Sequence, residues 1–162
     1  MPSALLDVFR HNSWASQRLI GFLGTLTAAQ LQATDGAVYG NPISTMHHVL
    51  DGEAGYWHFF SGERAPGVRR EAEPATLPEL AEWAQDLGAC WNAMALDEID
   101  ADTVLERSRG DGSVMRMKAG IVLAQAIHHG NVHREQVSHV LTTLGLAAPD
   151  LSLYAYAREA GS

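Results

Sequence analysis

A long amphipathic segment occupies residues 119–144 and reads AGIVLAQAIHHGNVHREQVSHVLTTL. Its apolar residues recur at steps of three and four positions, which predicts one continuous helix that Gly145 ends. His129 and His133 are four residues apart, so a helix places both imidazoles on one face, about 6 Å apart along its axis. Two neutral imidazoles at this spacing can bind one divalent ion. The segment therefore predicts a helix with a candidate metal-binding face.

Three further segments show the same helical spacing of apolar residues. They are residues 4–26, 44–61 and 77–97, and Thr76 is the expected N-cap of the last one. The chain has 162 residues, about the size of one domain. We therefore expect an all-α fold, in which residues 1–162 form a single domain built as a four-helix bundle.

The connection between the third and fourth long helices is predicted to be a long crossover. Residues 104–108 and 113–117 are short segments on either side of Asp111-Gly112, a pair typical of hairpin turns. Two strands this short cannot make a sheet with its own core, so we expect an irregular or hairpin crossover. After Pro149, Asp150 is the expected N-cap of a short C-terminal helix.

Composition excludes several classes of protein. Hydrophobic residues make up 46% of the chain and charged residues 19%, which is typical of a globular domain. Cys90 is the single cysteine, so an intrachain disulfide and a zinc site built on two cysteines are excluded. The net charge of −8 disfavours nucleic acid as a partner. With neither a membrane-length apolar run nor a secretory signal, we expect no membrane partner and a cytoplasmic location.

The histidines are the unusual feature of the sequence, although one pair on a helix is more often surface or core polar residues than a site. Gly130 stands where H-E-x-x-H enzymes have their glutamate, so the pair brings no carboxylate base of its own. A second cluster, His47-His48, lies in the second long helix. One imidazole from that helix would complete a set of three, which leaves coordination positions open as catalytic sites require. Two unrelated clusters are the simpler alternative.

Three segments have the order and spacing of a known family's motifs. They are HNSWASQRLI at 11–20, STMHHVLDGEAGYW at 44–57 and QAIHHGNVHREQV at 125–137. The last is similar to an H-x-x-x-H-R-x-Q signature, and the others look like N-x-W-A-N-x-x-L and T-L-x-H-x-x-x-x-E-x-x-W helices. Over almost its whole length the chain resembles the DinB/YfiT-like family of metal-binding helical bundles.

The resemblance implies three metal ligands, which are His48, His129 and His133. His48 matches the family's first histidine because an aliphatic residue and then Glu53 follow it. Spacing alone does not exclude His47 in its place. The family's metal is usually a divalent ion such as zinc or nickel, so we expect one divalent transition metal as the cofactor.

Four other residues match the motifs. The simpler interpretation of Arg134 is a structural ion pair, because charges are seldom buried unpaired. Gln136 is expected to hydrogen-bond a ligand histidine. Asn12 is a candidate for the pocket lining, and Trp14 is expected in the core because of its large apolar area.

The resemblance implies transferases of low-molecular-weight thiols as well as hydrolases. Our first hypothesis is a thiol S-transferase in which the metal holds the thiolate, with a small thiol and an electrophile as substrates. The alternatives are a metal-dependent hydrolase, with Glu53 or Asp51 as its base, and a non-catalytic metal-binding stress protein. We also expect a homodimer, for which Trp83 and Trp91 are either interface or core residues. Cys90 is expected to be a small core residue.

Overall fold

The computed structural model describes residues 4–34, 39–65, 75–94, 96–108 and 110–161, and it is mostly helical. The elements in chain order are α1 (Ala4–Leu23), α2 (Ala28–Leu31), α3 (Pro42–Ser61), α4 (Leu77–Ala93), a 3-10 turn (Leu96–Glu98), β1 (Val104–Ser108), β2 (Val114–Lys118), α5 (Ala119–Thr143) and α6 (Leu153–Ala160). Among the described helices, none is both long and apolar enough to cross a membrane.

Each of the four long helices packs against at least two of the others. α3 packs along α5, α5 contacts α1, α1 packs along α4, and α4 contacts α3. The largest buried apolar side chains between them are Phe9, Leu19, Leu23, Met46, Leu50, Leu80, Leu87, Trp91 and Leu141. Burial of this apolar area is the main term that holds the helices together. The all-α prediction is confirmed in this broad sense.

A small antiparallel sheet interrupts the helical architecture between α4 and α5. β1 pairs with β2 in a register that places Val104 opposite Lys118 and Ser108 opposite Val114. In both strands exposed and partly buried residues alternate. The expected hairpin crossover is therefore present, and it leads directly into α5 at Ala119.

Several helices begin or end at residues other than the predicted ones, because residues at the helix ends determine these bounds. α3 begins at Pro42 because the side chain of Asn41 accepts a hydrogen bond from the amide of Ser44. α4 begins after Thr76, as predicted, but ends at Ala93 because Met94 is in an extended conformation. α1 ends at Leu23, before residue 26.

The prediction that Asp150 caps the C-terminal helix is wrong. The side chain of Ser152 accepts the hydrogen bond from the amide of Ala155 and is the N-cap. The carboxylate of Asp150 accepts from the amide of Ser152 and from Arg158, so it stabilises the turn before the helix.

Two tryptophans whose roles the sequence left open lie in the core, and the core prediction for a third is wrong. Trp83 and Trp91 are buried in the core of the chain itself. Trp14 is only partly buried, contrary to the core prediction, because its indole nitrogen donates to Glu159 of α6. Cys90 is partly buried and packs against the core.

Candidate metal centre

The structure brings together three histidines from two facing helices. His48 lies on α3, and His129 and His133 lie one turn apart on α5. Each offers a ring nitrogen, and these three atoms lie within 4.8 Å of one another. The ring centroids are separated by 4.5 to 4.9 Å. Residues that are 81 positions apart in sequence thus form a compact set of ligand atoms.

The distances suit a single divalent ion. Zinc–imidazole bonds are about 2.0–2.1 Å, so two imidazole nitrogens on one ion lie about 3–3.5 Å apart. Nε2 of His48 and Nε2 of His129 are 3.0 Å apart. No cysteine or carboxylate joins the set among the residues that the structure describes. An all-imidazole donor set suits zinc, nickel and other ions of intermediate softness.

His47, the alternative ligand, points away from the cluster. Its Nδ1 accepts a hydrogen bond of 3.2 Å from the amide of Ala75. Its ring meets the indole of Trp83 edge-on, with the centroids 5.4 Å apart. His47 therefore connects α3 to the start of α4, and His48 is the histidine of this pair that faces α5.

His133 is oriented by a hydrogen bond, as the sequence predicted for Gln136. Nδ1 of His133 lies 2.8 Å from Oε1 of Gln136, which can only accept. The hydrogen is therefore on Nδ1, and Nε2 keeps a free lone pair for the cluster.

His129 has no such hydrogen bond. Its Nδ1 is buried and has no partner within the described part of the chain. Its orientation therefore depends on the contact of its Nε2 with Nε2 of His48 and on packing, which includes the edge contact with Tyr56 at 5.5 Å between centroids.

Burial disfavours the charged form of two of the three imidazoles. The pKa of His129 is lowered to about 4, first by burial and then by the neighbouring His133 and His48. Burial also lowers the pKa of His48, with a further contribution from His133 and an opposing one from Asp51. The neutral imidazole is the form that binds a metal, so His48 and His129 are prepared to bind a cation at neutral pH.

The rings of two tyrosines contact the three histidines, and the sequence analysis did not identify them. Tyr39 stacks flat on His48, with centroids 3.6 Å apart and planes at 12°, and meets His133 edge-on. Tyr56 meets His129 edge-on and accepts a hydrogen bond from Gln125. Tyr56 follows His48 by eight residues, so the helical repeat could have placed it on the same face. Tyr39 precedes α3 and offers no such signal.

A buried polar network joins three helices close to the cluster. Arg134 of α5 donates to Oδ1 of Asn12 at 2.8 Å and to Oγ of Ser16 at 2.9 Å. Asn12 in turn donates to the carboxylate of Glu53 at 3.1 Å. Arg134 and Glu53 are only 2% and 3% exposed. The predicted ion-pair role of Arg134 therefore takes the form of a hydrogen-bonded network, and Asn12 belongs to it.

Glu53 is consequently not placed as a base beside the histidines. Burial raises the pKa of its carboxyl, against the opposing charge of Arg134 and the hydrogen bond from Asn12. Its bound oxygen faces α1. Asp51 lies close enough to His48 for its charge to act on that ring. Of the two carboxylates that the sequence suggested, only Asp51 acts on the cluster.

The fold and the cluster define a helical protein with a candidate three-histidine metal centre. The sequence profile of the DinB family matches residues 1–161. The chain belongs to the DinB family. No curated protein matches the sequence significantly.

Proposed function

We propose that this chain is a four-helix bundle that binds one divalent transition metal, zinc or nickel, through His48, His129 and His133. We propose further that it is an enzyme that transfers a low-molecular-weight thiol to an electrophile. The convergence of three imidazoles from α3 and α5 carries this proposal. Three protein ligands leave coordination positions open for a substrate.

Thiol transfer suits the groups around the cluster. When bound, a divalent ion on three neutral imidazoles keeps its charge and lowers the pKa of a thiol ligand, so that thiolate is present at neutral pH. The thiol proton leaves to solvent, the sulfur attacks the electrophilic carbon, a carbon–sulfur bond forms and the leaving group departs with its electron pair. This reaction needs no carboxylate base, and Glu53 is engaged elsewhere. The rings of Tyr39 and Tyr56 supply aromatic surfaces beside the histidines.

Hydrolysis is the second candidate, because Asp51 lies near His48. An open coordination position can hold water as well as a thiol, and a zinc-bound water has a pKa of about 7. In this case Asp51 would accept the proton of the attacking water. A metal-binding protein without catalysis is the third candidate. We also propose that the protein is cytoplasmic and forms a homodimer.

The decisive assay compares loaded and stripped protein. The chain is saturated with zinc or nickel, mixed with a small thiol and a haloarene, and halide release is followed against protein stripped with a chelator. We expect release well above the stripped control and its loss in His133→Ala, while the matched control His128→Ala, whose side chain is exposed, keeps it. Ester turnover without thiol transfer would favour the hydrolase. An inert protein with one metal per chain would favour the third candidate.

A further inference from the structure

Gly52 lies at the point where α3 comes closest to the ring of His129. A Cβ atom at position 52 would lie 3.0 Å from Nε2 and 3.1 Å from Nδ1 of His129, and closer still to Cε1. Real Cβ atoms essentially never approach another heavy atom as closely as this Cβ would approach Cε1, and its contacts with the two ring nitrogens would also be tight. The imidazole of His129 thus occupies the volume that any side chain at position 52 would need.

The backbone gives no other reason for a glycine at this position. Gly52 is inside α3 and is not among the glycines with positive φ. A glycine in a helix interior destabilises the helix relative to alanine. The glycine therefore weakens α3 locally, and its lack of a side chain leaves space for the ring of His129.

One face of α3 combines three different contributions to the cluster. His48, Gly52 and Tyr56 follow one another at steps of four residues, so they lie in a row along the helix. His48 supplies a ring nitrogen, Gly52 leaves room for the ring of His129, and Tyr56 contacts the edge of that ring. No hydrogen bond holds Nδ1 of His129 among the described residues, so this row determines where its Nε2 points.

We propose that Gly52 is a positioning residue of the metal centre, whose missing side chain allows His129 to reach the atoms it shares with His48. This proposal rests on the proposed metal binding and names the residue on which its geometry depends. Alanine at position 52 forces the ring of His129 to rotate away, since the ring is the movable part and the backbone of α3 is not. The cluster then keeps two aligned imidazoles instead of three.

The test combines Gly52→Ala with the matched control Gly21→Ala. Gly21 is also inside a helix, α1, but a Cβ there would meet nothing within 4 Å. Zinc affinity is measured by competition with a chromophoric chelator, and thermal unfolding is measured on the metal-free proteins. We expect Gly52→Ala to lower the zinc affinity at least 100-fold, with unfolding at an unchanged or higher temperature. Gly21→Ala is expected to bind zinc as the original chain does.

A second readout needs no metal. Long-range proton–nitrogen NMR spectra of the metal-free chain report the environment of each imidazole, and we expect Gly52→Ala to shift the His129 signals while those of His47 stay in place. Zinc affinity within threefold of the original, or unchanged His129 signals, would overturn the role of Gly52. If the original chain binds no zinc but His129 still shifts, the metal-binding proposal fails and the steric role of Gly52 stands.

Discussion

Nε2 of His48 lies 3.0 Å from Nε2 of His129, on two helices that meet only in the folded chain. His133 completes the group from the next turn of α5. Nitrogen atoms placed together at a helix interface lose hydration, which costs free energy unless a ligand or a hydrogen bond replaces it. A divalent cation bound to the three ring nitrogens is a ligand that can replace this hydration.

Replacement of His48 by alanine tests which of two neighbouring histidines is a ligand. His48→Ala removes one of three ring nitrogens and is expected to reduce the bound metal from about one ion per chain to nearly none after dialysis. The matched control His47→Ala removes a ring that contacts Ala75 and Trp83 instead, and it should keep the metal. Elemental analysis measures both. The opposite pattern would mean that α3 presents its other histidine to the ion.

Gln136→Leu tests the hydrogen bond that orients His133. Loss of the acceptor allows the hydrogen of His133 to move to Nε2, the atom that faces the cluster, so the zinc affinity should fall about 10- to 100-fold. Gln85→Leu on the exposed side of α4 is the matched control and should not change the affinity. Equal affinities for the two variants would show that the contact to Gln136 does not matter.

Arg134→Met tests the buried network. The change leaves the carboxyl of Glu53 buried without the nearby positive charge, so the free energy of unfolding should fall by about 3 kcal/mol, measured by urea denaturation. The added change Glu53→Gln should restore part of the loss because it removes the uncompensated acid. Arg158→Met, at an exposed ion pair with Asp150, should change the stability by less than about 0.5 kcal/mol. If Arg134→Met behaves like Arg158→Met, the network contributes nothing to stability.

Acid should destabilise the metal-free protein in a definite range of pH. Folding lowers the pKa of His129 from 6.5 to about 4, chiefly by burial, and burial also lowers that of His11. Between pH 6.5 and about 4 the unfolded chain binds more protons than the folded chain. The free energy of unfolding is therefore at its full value above pH 6.5 and decreases as the pH falls towards 4. Melting temperatures from pH 7.5 to 4.5 measure the loss. His129→Ala should show a shallower decline, and an equal decline would assign the effect to other groups.

The sequence was sufficient to predict the features that depend on the local spacing of residues. The repeat in α5 placed His129 and His133 on one face, and the Asp111-Gly112 pair indicated the hairpin. It could not choose between His47 and His48, because neighbours on a helix point about 100° apart and the rotation of α3 relative to α5 depends on tertiary packing. The role of Gly52 also depends on how α3 packs against α5, so the sequence alone did not reveal it.

The anomalous scattering of crystals grown from zinc-loaded protein tests the central claim most directly. Data collected on both sides of the zinc absorption edge identify the ion and place it. We expect one strong peak per chain about 2.1 Å from a ring nitrogen of His48, His129 and His133. A peak elsewhere on the chain, or none at these three rings in fully loaded protein, would contradict the account.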